Sequence, residues 1–206
     1  MNYPLAFKTF FGITPECIGD SVIVTNISSI YSTLIDSAFS VGPCQKGIYN
    51  TTELWLNNNQ CYNTIKITPG NNAIDVVKLL TLYIKKLYFI GIAGCLDSNL
   101  SIGDVCEPSI FASVDSLCDC YNLTICQTSG LIQTNDFFIG LREKGVCLVD
   151  MECYDVYRIC KDNNVQLKYI VQVSDFPLKT PFYKLHPQPI RIKQILEKIQ
   201  DERLKP

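Results

Sequence analysis

Apolar positions along this chain alternate between short continuous runs and spacings of three and four, the pattern of strands interleaved with helices. Residues 21–26, Ser-Val-Ile-Val-Thr-Asn, form a β-branched run, and residues 30–38 carry apolar side chains at helical spacing. They predict a first strand and a first helix. Residues 57–60 make an Asn-rich turn, and residues 64–68 alternate Ile with polar side chains, which predicts an exposed strand in a hairpin or edge region. After Asn72, a candidate N-cap, segment 73–86 sets Ile74, Val77, Leu80, Tyr83 and Ile84 on one helical face. That helix leads into a buried strand at 87–92.

The second half continues the alternation. A strand is expected at 103–111, apolar segments at 121–128 and 130–133, and a polar turn at Thr134-Asn135-Asp136 set against Phe137 and Phe138. Residues 146–149 predict a strand, 151–162 a helix with Cys153, Val156, Tyr157 and Cys160 inward, and 167–173 another strand. A charged terminal helix spans about 191–204, with Ile192, Ile195, Leu196 and Ile199 on its packing face. This alternation leads to an α/β layer structure. Without repeats or a low-complexity linker, the 206 residues are expected to form a single domain, 1–206.

Composition narrows the partners. A formal charge of -2 gives no broad positive field for nucleic acid or an anionic membrane. The longest apolar run, 76–96, is interrupted by Lys78, Lys85 and Lys86, so no membrane span is expected. Eleven cysteines raise the idea of a disulfide framework, but the opening Met1-Asn2-Tyr3-Pro4 leads into no basic and then apolar leader, which points to a reduced cytoplasmic interior. Cys118 and Cys120 are the closest pair and His186 is the single histidine, so no metal site is expected. Cys95, Cys106, Cys147, Cys153 and Cys160 read as buried thiols; Cys95 borders a glycine turn, but a nucleophilic role needs a base the sequence does not supply. His186, before Pro187, reads as a surface residue.

Candidate chemistry lies where apolar segments end. Gly91-Ile92-Ala93-Gly94-Cys95 closes a strand with two glycines that permit close ligand approach, yet the third glycine of a dinucleotide fingerprint is missing. Asp150 and Glu152 flank Met151 near a helix start, where carboxylates serve equally as caps or as ligands. Asp175 follows a strand, as a turn residue or as an acid. Phe138 fits a core or a stack on a flat base. Two acids of this kind first point to glycosidic cleavage.

Taken in order, Gly91-Ile92-Ala93-Gly94, Ile102-Gly103-Asp104-Val105, Asn135-Asp136-Phe137-Phe138, Val149-Asp150-Met151-Glu152 and Val173-Ser174-Asp175 resemble the nucleoside phosphorylase and nucleosidase superfamily, in a divergent and short form. The likeness covers roughly residues 86–176. It implies a three-layer αβα sandwich around a mixed, partly barrel-like β-sheet. It also implies a nucleoside pocket: Met151 packs on the sugar, Glu152 accepts from the 2′ and 3′ hydroxyls, and Phe138 stacks on the base. Backbone at Ala93 and Gly94 lines the sugar and nucleophile end, Asp175 is the purine-side catalytic acid, and Ser174 positions it or meets the base edge. Relatives of this kind oligomerise, so a homo-oligomer is expected, with a small-molecule nucleoside as ligand and no cofactor beyond phosphate as co-substrate in a phosphorylase.

Departures from the pattern shape the expected activity. Ile92 stands where a serine often contacts phosphate or water, Ile90 where many phosphorylases carry arginine, and Val171 where many nucleosidases carry arginine. Gly19-Asp20 is at most a remnant of the phosphate loop, and the segment between Phe138 and Met151 is shortened. Gly-Ile-Ala-Gly also resembles the futalosine hydrolase branch, which usually has Asn at the place of Asp175. Three readings remain. They are a hydrolytic purine nucleosidase, a phosphorylase with a phosphate site rebuilt from residues such as Arg142 or Lys144, and a non-catalytic relative for binding or assembly.

Overall fold

The computed structural model describes residues 2–56, 60–69, 71–117, 122–130, 133–181, 184 and 189–200, with 60, 71 and 72 described in their backbone alone. The chain divides into two compact units, Met1–Ile90 with Arg158–Lys168, and Gly91–Tyr157 with Tyr169–Pro206.

The first unit opens with helix α1 (Tyr3–Phe11), absent from the sequence-based expectation. Asn2 caps it by accepting from Leu5 N at 3.2 Å, and Pro4 fits its first turn because that position needs no N–H. Gly12 ends it at φ 71°, where an added Cβ would come within 2.6 Å of Lys46 backbone. Next come β1 (Ser21–Thr25), α2 (Ser28–Ser37), β2 (Ser40–Val41), β3 (Thr51–Leu56), β4 (Gln60–Lys66), α3 (Asn71–Leu80) and the start of β5 (Lys86–Cys95). Strand β1 lies parallel between β4 and β5.

Two expectations change here. The β3–β4 pairing is the expected hairpin, but β4 is no exposed edge: it sits between β3 and β1, with Tyr62, Asn63, Thr64 and Ile65 buried. Its polar residues are satisfied locally in part, for Asn63 Oδ1 accepts from Gly19 N at 2.8 Å. Helix α3 stops at Leu80 rather than 86, and Tyr83 turns its ring edge-on to Phe7 at 4.9 Å. On one sheet face α2 is tied by Tyr31 OH to Thr52 Oγ1 at 2.8 Å; on the other, Lys8, Gly12 and Thr14 share a groove with Thr51, Glu53 and Asn63. Helices thus cover both faces, as an α/β layer fold requires.

The second unit holds the end of β5, then β6 (Val105–Cys106), β7 (Ile110–Ser113), β8 (Thr124–Gln127), α4 (Asn135–Glu143) and β9 (Leu148–Asp150). Helix α5 (Cys153–Asp162) follows, its residues from Arg158 on counted with the first unit, then strand β10 (Gln166–Asp175), in the second unit from Tyr169 on, and α6 (Ile192–Gln200) closes the described chain, burying Ile195 and Ile199. The strand expected at 103–111 is two strands, because Gly103 turns the chain at φ 92° and Pro108 cannot donate to a ladder. The expected polar turn at 134–136 is instead the start of α4, where the Thr134 side chain accepts from Phe137 N at 3.3 Å.

Strands pair in the order β2-β3-β4-β1-β5-β9-β8-β7, with β10 against β5 and β6. Among the described residues this makes a mixed ten-stranded sheet with six α-helices, and the sheet is not closed into a barrel. The Asn57–Gln60 turn, the Asn72 cap, Cys118, Cys120, His186 and residues 201–204 of the terminal helix lie outside the described residues or side chains. No helix is long and apolar enough to cross a membrane among the described residues.

Candidate functional site

Strand β5 is buried through Leu87, Tyr88, Phe89 and Ile90, surfaces at Ile92, 37% exposed, and returns inward at Ala93 and Cys95. Its end is flanked on both sides. Gly94 pairs with Val149 of β9, and the Ala93 carbonyl accepts from Ser174 Oγ of β10 at 3.1 Å. A Cβ on Gly94 would stand 2.8 Å from Pro177 Cγ and 3.1 Å from Val149 Cγ2. Glycine is what lets these segments approach so closely.

Antiparallel register next carries β9 past Ala93 to Asp150, Met151 and Glu152. Asp150 is indeed a cap. Its Oδ1 accepts from Glu152 N at 3.1 Å and Cys153 N at 2.9 Å, at the start of α5, while its own carbonyl takes Thr128 N at 2.7 Å and Thr128 Oγ1 at 3.1 Å. Tyr169 OH, from β10, donates to Asp150 Oδ2. Gln127 and Asp155 join the end of β8 to α5 through two bonds, Nε2 to Oδ2 at 2.7 Å and Asp155 N to Oε1 at 2.8 Å. The turn bearing Glu152 is therefore held from β8, β9 and β10.

Burial sets the electrostatics of that turn. It pushes the Asp150 carboxyl above its usual range, opposed by the hydrogen bonds from Tyr169 and the 152–153 segment. Burial first, and the Asp150 charge second, lift Tyr169 and Cys153 well above their ordinary values. Cys95 is pushed up to about 12, mainly by burial, and its Sγ lies 3.1 Å from the Asp97 carbonyl. An inert buried thiol follows, not a nucleophile.

Glu152 and Asp175 are 4% and 5% exposed, one beyond β9 and the other closing β10. Ser174 Oγ lies 2.5 Å from Asp175 Oδ1 as well as on Ala93. Ala93, Gly94, Ser174 and Asp175 thus form one connected group, with Met151 and Glu152 on the other flank of β5. Phe138 is not with them. It is 5% exposed in a core cluster with Leu96, Cys126, Leu141, Val146 and Val149, and its ring meets Phe137 edge-on at 5.6 Å. Sequence reasoning missed Tyr169, Thr128 and the Gln127–Asp155 link, since nothing local in a strand tyrosine or a strand-end glutamine names its partner. Among the described residues, no group of three His, Cys, Asp or Glu is placed to hold a metal ion.

No protein-family model matches the sequence, and no curated protein matches it either. Solved structures do. The chain is similar to a 5′-methylthioadenosine/S-adenosylhomocysteine nucleosidase from Colwellia psychrerythraea in complex with adenine, at TM-score 0.72 and 12% identity, over 88% of this chain and 94% of that one. The Plasmodium knowlesi homolog of the P. falciparum purine nucleoside phosphorylase gives TM-score 0.72 at 13% identity, over 92% and 89%. The chain has the nucleoside phosphorylase and nucleosidase fold. A futalosine hydrolase mutant of Helicobacter pylori shares this fold at TM-score 0.65 and 12% identity, over 89% and 99%. Hydrolytic and phosphorolytic enzymes both occur on the nucleoside phosphorylase and nucleosidase fold, so the fold alone does not choose the nucleophile.

Proposed function

We propose that this chain cleaves the N-glycosidic bond of a purine nucleoside, with water as nucleophile. One observation carries the reading: two buried carboxylates, Glu152 and Asp175, flank the glycine-bearing end of β5. Breaking a glycosidic bond builds positive charge on the sugar and negative charge on the departing base, so the two ends of the substrate need different help. Glu152 grips the ribose hydroxyls, which donate to it in a site where low water content strengthens such bonds. Met151 packs beside the sugar. Asp175, steadied by Ser174, donates to the purine nitrogen as the base leaves, and Ala93 and Gly94 offer backbone to the sugar and nucleophile end.

Apolar residues support water over phosphate. Ile90, where many phosphorylases carry arginine, is fully buried, and Ile92, where a serine often contacts phosphate or water, has no charge to offer, so neither side chain can bind phosphate. Phe138, the base-stacking residue that the resemblance implies, has its ring packed with Leu96, Leu141 and Val149. A homo-oligomer in a cytoplasmic setting completes it, to be measured by light scattering and by fractionation.

The test is base release from a panel of purine nucleosides, with and without phosphate. Release of free ribose at a rate indifferent to phosphate is expected. Asp175→Asn should lower kcat by about 10²–10⁴-fold, the usual worth of a general acid. Glu152→Gln should lower kcat/KM by roughly 10–100-fold, as for a lost charged hydrogen bond. Ribose 1-phosphate as product would replace hydrolysis by phosphorolysis. No cleavage and no nucleoside binding by calorimetry would leave the fold to binding or assembly of another kind.

A further inference from the structure

We propose that Asp150 and Tyr169 are a positioning pair that fixes the orientation of Glu152 for the ribose; this rests on the reading of Glu152 just given. The geometry reaches beyond ordinary capping. A cap needs one oxygen, and Asp150 Oδ1 fills that role toward Glu152 N and Cys153 N at 3.1 and 2.9 Å. The other oxygen, Oδ2, is taken by the hydroxyl of Tyr169 from a different strand. Tyr169 is 1% exposed, with its ring edge-on to Phe111 at 5.6 Å, and Phe111 stacks on Tyr157 at 4.9 Å. Phenylalanine would fill the same aromatic slot, so packing does not account for the hydroxyl. Its job is to hold a carboxylate.

That carboxylate in turn holds the turn. The carbonyl of Asp150 is tied twice by Thr128, its side chain collects the amides of Glu152 and Cys153, and the Glu152 carbonyl starts α5 by accepting from Val156 N at 3.0 Å. The backbone of Glu152 is thereby fixed on both sides. A carboxylate that must meet two adjacent ribose hydroxyls works only when held to about 0.5 Å, and a rigid supporting layer is what gives that precision. Asp150 and Tyr169 touch no substrate in this scheme. They act through Glu152.

Tyr169→Phe tests the pair, because it removes one oxygen and keeps the ring. The readouts are calorimetric binding of formycin A, a purine-like nucleoside with an uncleavable carbon–carbon glycosidic bond, binding of free adenine, and hydrogen exchange at individual amides. Formycin A should bind about tenfold more weakly, adenine within about twofold of wild type, and the amides of Glu152 and Cys153 should exchange faster while those of β1 do not. Asp150→Asn, which keeps an acceptor for the two amides, should restore most of what Asp150→Ala loses. Unchanged formycin A binding and unchanged exchange at 152–153 in Tyr169→Phe would overturn the proposal. Equal losses for formycin A and adenine, with exchange raised throughout, would overturn it as well, since that is a stability defect. If the wild-type protein binds neither ligand, the nucleoside reading falls and positioning for ribose falls with it; exchange at 152–153 would then decide separately whether the pair fixes the turn.

Discussion

Replacing Gly94 by alanine should be costly even though only one methyl is added. The new Cβ would meet Pro177 Cγ at 2.8 Å, Val149 Cγ2 at 3.1 Å and Pro177 Cδ at 3.2 Å. Carbon pairs rest at about 3.5–4.0 Å, so the shortest contact must open by roughly 0.7 Å or more. None of these neighbours is the free end of a flexible chain. Proline is a ring, and Val149 is locked in β9 opposite Gly94. Overpacking of this kind costs about 1–3 kcal/mol, and at about 2–4 °C per kcal/mol for a chain of this size a ~2 kcal/mol loss lowers Tm by about 4–8 °C. Gly140→Ala is the matched control. It lies inside α4 with nothing within 4 Å of the added carbon, so better helix propensity should raise Tm by about 1–4 °C. Thermal melts followed by circular dichroism read both. Because Pro177 stands two residues past Asp175, Gly94→Ala should also slow base release. A Gly94→Ala protein as stable as wild type, or a Gly140→Ala protein that loses as much, would refute the steric account.

Other outcomes follow from the same geometry. Gly12→Ala, at φ 71° and with Lys46 backbone at 2.6 Å, should destabilise by about 1–3 kcal/mol or more in urea titrations, whereas unchanged stability would contradict the left-handed cap. Iodoacetamide at pH 8 should label the exposed Cys17, Cys44 and Cys61 in the native protein, as read by peptide mass mapping. Cys95 and Cys160, both pushed up to about 12 chiefly by burial, should stay unlabelled until unfolding. Asp150 has its folded value raised by burial, so the folded state holds this proton more tightly than the unfolded chain. Its contribution to stability therefore falls as pH rises from the usual carboxylate value through the raised one. Asp150→Asn has nothing to ionise there, so its Tm relative to wild type should climb over that window and then level. A gap that shrinks as pH rises would reverse the sign.

The sequence made much of this legible because several elements announce themselves in short range. Val22, Ile23 and Val24 in β1, the run Leu87–Ile90 in β5 and the 3.6-residue rhythm of Cys153, Val156, Tyr157 and Cys160 in α5 all lie where their patterns put them. Misreadings came from residues with two local meanings. Thr134-Asn135-Asp136 contains turn formers that also begin helices, and the deciding bond, Phe137 N to Thr134 Oγ1, is a matter of geometry. Phe138, for which the sequence left a core place and a stack on a base both open, lies in the core. Alternating polar residues in β4 looked exposed because a single strand does not show what lies on its two faces. At the site, the glycine turn and the two acids stood out by position, while Tyr169 lay nineteen residues from the carboxylate it holds, a pairing that only the β9 and β10 placement creates.

Ser174 has one hydroxyl proton and two neighbours that want it, the Asp175 carboxyl at 2.5 Å and the Ala93 carbonyl at 3.1 Å. One proton cannot serve both acceptors at full strength, so the side chain that ends β10 and the main chain of β5 compete for a single donor. The seam between β5 and β10 is thus closed through one shared hydroxyl, and Ser174→Ala would take this donor from the backbone of one strand and the terminal side chain of the other together.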